Sequence, residues 1–125
     1  MMWQCLASRY LWQSPWYSLR EDRVHTPEGR ELTFTLVDHP GAACGVPITA
    51  GGQVVLIRNY RYAVGEHCLE VPAGGLPDGL SPEEAARREL EEEVGGTAAE
   101  LRYVGRFYSS TGISNEIVHV YLATG

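Results

Sequence analysis

The sequence predicts a mixed α/β domain in which a single helix packs against a β-sheet. Strand-like segments come first along the chain, one strongly patterned helix follows, and two further strands close the order. At 125 residues the chain fits one domain. Its 14 glycines and 7 prolines indicate many turns between short elements.

The N-terminal part, residues 1–40, is predicted to form a β-hairpin unit. Residues 16–26 form an extended segment, residues 27–30 form a turn, and residues 31–37 alternate like a second strand. Two strands are too few to hold a core of their own. We therefore expect the hairpin to pack against another element, and residues 41–125 to form the main domain.

The middle of the chain contains a second hairpin signal. Residues 42–50 and 53–58 flank Gly51-Gly52, a dipeptide typical of tight turns. Within the later segment, Val54–Ile57 is a continuous apolar run of strand length. Such a run predicts a central strand that is buried on both faces.

The helix is predicted over Pro82–Val94, after a loop rich in glycine and proline. Ser81 is a good N-cap and forms a capping box with Glu84, and Gly95-Gly96 ends the helix. Two further strands are predicted after the helix, at residues 101–108 and 117–123.

Charge and cysteine usage exclude several kinds of function. The formal net charge is -6, and there is no basic run, which argues against nucleic acid as a partner. No secretory signal and no apolar stretch long enough to span a membrane are present in the sequence. Cys5, Cys44 and Cys68 form no CxxC pair, as expected of free thiols in a reducing compartment. We expect a cytoplasmic protein with no membrane partner.

Three glutamates share one face of the predicted helix. At about 100° per residue, Glu89, Glu92 and Glu93 fall within one arc, next to an apolar arc that can face the sheet. One interpretation is a solvated charged face. However, the helix has a separate mixed-charge face, and like charges at this spacing destabilise a helix by about 0.2–0.5 kcal/mol per pair. A hard divalent cation, Mg²⁺ with Mn²⁺ or Ca²⁺ as alternatives, would neutralise such an arc.

The loop and helix together resemble the Nudix box, G-x(5)-E-x(7)-R-E-U-x-E-E-x-G-U, in which U is a bulky aliphatic residue. Two positions depart from it, because Leu80 replaces the first glutamate and Gly96 replaces the last aliphatic residue. The positions that match are Gly74, Arg88, Glu89, Leu90, Glu92, Glu93 and Gly95.

This resemblance implies a Nudix fold and a metal-dependent hydrolase. In the family, the residues that match Glu89, Glu92 and Glu93 bind metal at the catalytic centre, and the arginine that matches Arg88 holds those carboxylates in position. Gly74 is expected to let the backbone approach the substrate. The absence of a glutamate at position 80 is expected to weaken a supporting contact rather than remove a principal ligand.

Outside the box, the chain resembles the ADP-ribose pyrophosphatase branch of the family at residues 55–62 and 69–74. In that branch the N-terminal hairpin is exchanged between the two subunits of a homodimer. The resemblance implies that Arg58 and Arg61 contact substrate phosphates, although solvated strand-end residues are the alternative. It also implies that Glu70 helps to hold metal and that Glu116 approaches the terminal ribose or the metal.

The expected reaction is metal-assisted attack of water on one phosphorus of ADP-ribose or a related nucleoside diphosphate sugar, which gives a nucleoside monophosphate and a sugar phosphate. Thr111 stands where the branch commonly has proline. GDP-mannose or another nucleotide sugar is therefore an alternative substrate. A catalytically inactive Nudix module that binds nucleotide or acts as a scaffold is a second alternative.

The position of the last residue bears on these alternatives. Family members continue beyond the strand that ends near Ala123, and in the ADP-ribose branch a later loop supplies the catalytic base. This chain stops at Gly125. We expect it to be a fragment of a longer protein, a natural short form, or a chain completed by another chain.

Overall fold

The fold was obtained as a computed structural model that describes residues 2–76, 79–96 and 98–125. Part of the predicted glycine- and proline-rich loop, residues 77–78, lies outside this range. The described residues form one helix and nine strands. These are β1 Gln4–Gln13, β2 Ser18–His25, β3 Glu31–Asp38, β4 Ala42–Pro47, β5 Ile57–Arg61, β6 Glu66–Glu70, β7 Ala73–Gly75, α1 Pro82–Val94, β8 Glu100–Tyr108 and β9 Ile117–Thr124.

The chain divides into two compact units. The first unit contains the residues up to Pro40 together with Tyr108–Glu116. The second unit contains Gly41–Phe107 and Ile117–Gly125. The sequence had led us to expect a single boundary after residue 40, whereas the contacts also assign the segment before β9 to the first unit.

The first unit is built on an antiparallel sheet in the order β1-β2-β3. The predicted hairpin is present as β2 and β3, which pair from Ser18 opposite Asp38 to His25 opposite Glu31. The turn is closed by a hydrogen bond from the Thr26 N–H to the Arg30 carbonyl at 2.8 Å. β1 was not predicted, and all ten of its residues are exposed.

The segment before β9 joins the first unit at the end of β3. The Val37 N–H donates to the Ile113 carbonyl at 2.7 Å, and the Asn115 N–H donates back to the Val37 carbonyl at 3.3 Å. The Asn115 amide also donates to a carboxylate oxygen of Asp38 at 2.8 Å. These bonds explain why residues so late in the chain cluster with the N-terminal sheet.

The second unit contains a four-stranded sheet in the order β7-β4-β9-β8. β4 lies inside this sheet, antiparallel to β7 and parallel to β9. Four of its residues, Ala42–Gly45, are buried and small. Their size lets α1 approach the sheet closely, because a Cβ added at Gly45 would lie only 3.0 Å from Leu90 Cδ1.

The prediction that Val54–Ile57 is a central strand buried on both faces was wrong. Val54 and Leu56 are each 50% exposed, and β5 begins only at Ile57. β5 pairs with β6 in a two-stranded ribbon. The position of central strand belongs to β4, because burial depends on the neighbours that a strand finds in the fold and not on its apolar content alone.

The helix prediction is confirmed with the same bounds. The Glu84 N–H donates to Ser81 Oγ at 3.2 Å, and the Ser81 N–H donates to Glu84 Oε1 at 3.4 Å, which completes the capping box. Gly95 ends the helix with a φ of +69°, a conformation that glycine adopts without steric penalty. The strands predicted on either side of residue 110 are likewise confirmed as β8 and β9.

The core of the second unit lies between α1 and the sheet. Ala85, Ala86 and Leu90 are the buried residues of the helix, so its predicted apolar arc does face the strands. Ala85 and Ala86 pack with Ala43 of β4 and Tyr121 of β9. This packing fixes the rotation of the helix and therefore the direction of its glutamates.

Candidate functional site

Glu89 lies where α1 packs against β7. A Cβ added at Gly74 of β7 would overlap the Glu89 carboxyl group and would lie 3.0 Å from its Cγ. Glycine is needed at position 74 because it has no side chain, and not because of its backbone conformation. Any side chain there would displace the Glu89 carboxyl group. The structure thus brings together two positions that the sequence motif separates by 14 residues.

The carboxyl groups of Glu89 and Glu93 interact as an acidic pair. The pKa of Glu89 is raised to about 7, first by burial and then by its hydrogen-bonding and charge interactions with Glu93. Glu92 raises it further, and Arg88 opposes the shift. Glu93 Oε2 is buried and has no hydrogen-bond partner among the described residues.

This arrangement fits a hard divalent cation. A buried carboxylate oxygen without a partner is costly, and a second carboxylate beside it increases the cost. Carboxylate oxygens are the ligands that Mg²⁺ and Mn²⁺ prefer. Within the described part of the chain, no three His, Cys, Asp or Glu side chains are already gathered as a metal cluster. Glu89 and Glu93 are therefore the two residues whose surroundings support such a role.

Glu92 and Arg88 lie on the exposed part of α1. Arg88 Nε is 4.0 Å from Glu92 Oε1, and both side chains are more than half exposed. An exposed pair at this distance contributes little to stability. The structure thus joins Arg88 to Glu92, which is exposed, and the effect of Arg88 on Glu89 is electrostatic.

Glu70, the fourth candidate metal ligand, is bound to an arginine. Arg61 Nε donates to Glu70 Oε2 at 2.7 Å, and Asn59 Nδ2 donates to Oε1 at 3.3 Å. The bonds from Arg61, followed by those from Asn59, lower the pKa of Glu70 against the effect of burial. Glu70 is therefore ionised, and it is partnered within the β5–β6 ribbon.

The two candidate phosphate-binding arginines lie on opposite faces of that ribbon. Arg58 and Arg61 are three residues apart on β5, and side chains alternate along a strand with a period of two. Arg58 shares its face with Tyr60, whose ring contacts the ring of His67 edge-on at 5.2 Å. The structure therefore does not bring the two arginines together on one surface.

Glu116 belongs to the first unit, where it has partners of its own. Ser109 Oγ donates to Glu116 Oε1 at 2.6 Å, and His39 Nε2 lies 3.1 Å from Oε2. These contacts fasten the segment before β9 at both of its ends. They define a structural role for Glu116 within that unit.

Asn59 is the residue that sequence reasoning missed. It lies on the same ribbon face as Arg61, two residues away, and it donates to the carboxylate of Glu70. The period of two along a strand was the available signal, because it places Asn59 and Arg61 side by side once β5 is identified.

Comparisons with known proteins identify the family and the fold of the chain. A family model described as NUDIX domain matches residues 38–125. A second model, described as nucleoside diphosphate sugar hydrolase N-terminal domain, matches residues 3–37. Among solved structures, the chain is similar to one titled crystal structure of ADP compounds hydrolase. The TM-score is 0.83 at 22% identity, with 99% of this chain and 68% of that chain covered.

Curated relatives extend the comparison. The chain is 36% identical over 118 residues to an ADP-ribose pyrophosphatase of Bacillus subtilis, which covers 94% of this chain and 64% of that protein. It is also 36% identical over 123 residues to an ADP-ribose pyrophosphatase of Mycobacterium tuberculosis, with 98% and 59% covered. The chain thus spans about three fifths of the length of these relatives.

Proposed function

Because the chain belongs to the Nudix family and has its fold, we propose that it hydrolyses the diphosphate bond of a nucleoside diphosphate sugar. ADP-ribose is the first candidate, and the products are a nucleoside monophosphate and a sugar phosphate. The observation that carries the proposal is the acidic pair of Glu89 and Glu93, in which Glu89 lies against Gly74 and one buried oxygen of Glu93 has no partner among the described residues.

Two further observations support this substrate class. The model that matches residues 3–37 describes the N-terminal domain of nucleoside diphosphate sugar hydrolases. The relatives from Bacillus subtilis and Mycobacterium tuberculosis are both named ADP-ribose pyrophosphatase. Both observations favour a nucleotide sugar over other substrates that contain a diphosphate.

The residues that would hold the cation are Glu89 and Glu93, with Glu92 and Glu70 as further ligands. When bound, Mg²⁺ or Mn²⁺ would offset the charge of the diphosphate and orient it for attack by water. Without a cation the pKa of Glu89 is raised to about 7, and a bound cation would keep its carboxyl group ionised. One of the glutamates of this helix face, Glu89, Glu92 or Glu93, is our candidate for activating water. Arg61 is the candidate for contacting a phosphate oxygen from the same side of the ribbon as Glu70.

A hydrolysis assay tests this function. The purified chain is incubated with ADP-ribose, ADP-glucose and GDP-mannose, each with Mg²⁺, with Mn²⁺ or with a chelator, and the monophosphate product is measured. We expect metal-dependent release of AMP from ADP-ribose. Faster hydrolysis of GDP-mannose would reassign the sugar nucleotide. Binding of nucleotide by calorimetry without product formation would identify an inactive binding module instead.

We also propose that the chain forms a homodimer through the first unit. Its sheet ends in the edge strand β1, whose residues are all exposed. Trp12 is 50% exposed and Trp16 is 73% exposed, so large apolar surface faces solvent. An open edge and exposed aromatic rings favour packing against a second copy.

A cytoplasmic location agrees with the chemistry of the cysteines. Cys5, Cys44 and Cys68 are all free thiols, as expected in a reducing compartment. The described residues contain no helix long and apolar enough to cross a membrane.

A further inference from the structure

The ion pair of Arg61 and Glu70 connects a candidate phosphate contact to a candidate metal ligand. Arg61 donates to both carboxylate oxygens, from Nε at 2.7 Å and from Nη2 at 2.5 Å. The Glu70 side chain is 24% exposed, whereas that of Arg61 is 51% exposed. The Glu70 side chain is therefore mostly covered, while about half of the Arg61 side chain is open to solvent.

We propose that Arg61 exchanges partners when a nucleoside diphosphate binds. In the ligand-free protein it holds Glu70, and in the bound protein it moves to phosphate oxygens, which leaves Glu70 free to bind the cation. This inference rests on the proposed function. It adds to that function a coupling between binding of the metal and binding of the substrate.

The chemistry of the guanidinium favours such an exchange. Its planar fork forms paired hydrogen bonds with a carboxylate and with a phosphate in the same way. A diphosphate carries more negative charge than a carboxylate and therefore attracts the arginine more strongly. Because half of the Arg61 side chain is exposed, solvent screens its pair with Glu70 and the arginine can leave it.

The position of Arg61 also affects the acidic pair on α1. The pKa of Arg61 is raised first by its hydrogen bonds to Glu70 and further by the charges of Glu70 and Glu93. Arg61 therefore lies within the electrostatic field of Glu93. While it stays there, its positive charge opposes a cation at Glu93 and its N–H groups occupy the oxygens of Glu70. Its transfer to phosphate removes both obstacles, so cation and diphosphate should strengthen each other's binding.

A double-mutant cycle on Mn²⁺ binding, without nucleotide, tests the exchange. Mn²⁺ affinity is measured by calorimetry in the wild type, in Arg61→Gln, in Glu70→Gln and in the double variant. We expect Arg61→Gln to bind Mn²⁺ at least about fivefold more tightly than the wild type does. An effect of this size lies within the usual range of coupling between two binding sites. In the Glu70→Gln background the same change should tighten Mn²⁺ binding much less, because it then relieves only the charge repulsion and no carboxylate is left to release.

The cycle separates release of Glu70 from simple charge repulsion. If Arg61 only repels the cation, Arg61→Gln will tighten Mn²⁺ binding to the same extent in both backgrounds, and the exchange is wrong. Arg58→Gln is the charge-matched control, since it removes an arginine from the opposite face of the same strand. It should leave Mn²⁺ affinity unchanged. Circular dichroism melting verifies that every variant is folded.

The nucleotide is then added as α,β-methylene-ADP, which carries an uncleavable diphosphate. We expect it to tighten Mn²⁺ binding to the wild type by about tenfold, and to do so much less in Arg61→Gln. Equal tightening in both proteins would overturn the exchange. Failure of the wild type to hydrolyse any nucleotide sugar would reject the proposed function alone, because the cycle needs no turnover. Absence of Mn²⁺ binding in all four proteins would reject both.

Discussion

Gly74 of β7 lies directly against the carboxyl group of Glu89 on α1, with no room for a methyl group between them. The contact joins the loop and the helix of the sequence motif at one point. It also explains physically why glycine stands at position 74, since a side chain there would move the carboxyl group.

Replacing Gly74 with alanine should therefore damage the site more than the fold. The added methyl group would displace the Glu89 carboxyl group, and we expect a loss of activity on the order of tenfold to a hundredfold, as for disturbed metal surroundings. Overpacking of this kind also destabilises a protein by about 1–3 kcal/mol. Steady-state kinetics and denaturant unfolding measure the two effects.

Gly75→Ala is the matched control for that change. A Cβ at Gly75 would meet only the Gly41 carbonyl oxygen, at the ordinary contact distance of 3.9 Å. Its activity should stay within about twofold of the wild type, because surface substitutions of this kind have small effects. Full activity in Gly74→Ala would show that Glu89 does not need its present position.

Replacing Glu93 with glutamine should lower turnover strongly while leaving the metal-free protein equally or more stable. The change removes a charge beside Glu89 and keeps the size of the side chain. We expect turnover to fall on the order of tenfold to a thousandfold, and Glu92→Gln to lower it in the same direction. Metal-free melting should show equal or increased stability, since like-charge repulsion is relieved.

Glu91→Gln is the control for the glutamate variants. Glu91 is exposed and lies on the helix face away from the acidic pair, so its carboxylate has no part in the proposed site. It should keep both activity and metal dependence. Unchanged Mg²⁺-dependent turnover in Glu93→Gln and Glu92→Gln would remove these carboxylates from the mechanism.

The raised pKa of Glu89 predicts a pH dependence of metal-free stability. Its carboxyl group binds a proton more tightly in the folded state, where its pKa is about 7, than in the unfolded state, where it has its usual value of 4.5. The folded state therefore loses stability as the pH rises from about 4.5 to 7, and the loss is complete above that range. Glu89→Gln should abolish this part of the dependence.

Urea unfolding at pH 5 and pH 8 with a chelator measures this effect. The quantity to compare is the change in unfolding free energy between the two pH values, in the wild type and in Glu89→Gln. Titrating groups that do not interact with Glu89 contribute equally to both proteins and cancel in the difference, so the remainder belongs to Glu89 and the glutamates coupled to it. Identical changes in the two proteins would contradict the assignment. With Mg²⁺ present, binding should tighten as the pH rises, because the carboxylate must lose its proton to hold the ion.

The exposed edge strand predicts the oligomeric state. Light scattering should give twice the monomer mass of 13.8 kDa. Leu11→Arg places a charge on β1, where Leu11 is 45% exposed, and should shift the protein toward monomer. Leu69→Arg, at a 68% exposed site on β6, should leave the mass unchanged. A wild-type monomer at micromolar concentration would count against pairing through the first unit.

Both bounds of the helix could be predicted because the signals at its two ends act locally. Ser81, Glu84 and Gly95 each act on backbone groups within a few positions of themselves, so their effect can be derived from the sequence. The acidic face of the helix followed from its period in the same way. What the sequence did not show is how unequally those glutamates are buried, because that depends on the position of β7.

The errors concerned pairings between distant segments. The apolar run at Val54–Ile57 has the composition of a central strand. However, the pairing of a strand depends on the whole fold, and among the described strands β5, which begins at the end of this run, pairs with β6 alone. β1 was missed because its sequence does not alternate clearly between apolar and polar residues. Predicting the ion pair of Arg61 with Glu70 requires the register of the β5–β6 ribbon, which no local sequence pattern supplies.

The parallel pairing of β4 with β9 has a consequence for how the chain is made. Ala42 of β4 pairs with Val118 of β9, which lies 76 positions later, whereas β4 meets β7 after only about 30. At ribosomal rates of about 5–20 residues per second, β4 exists for roughly 4–15 seconds before β9 has been synthesised. During that interval one edge of the future central strand has no native partner. The nascent chain therefore passes through a stage in which its backbone is open to strands of other molecules, and the pairing of β9 with β4 ends that exposure.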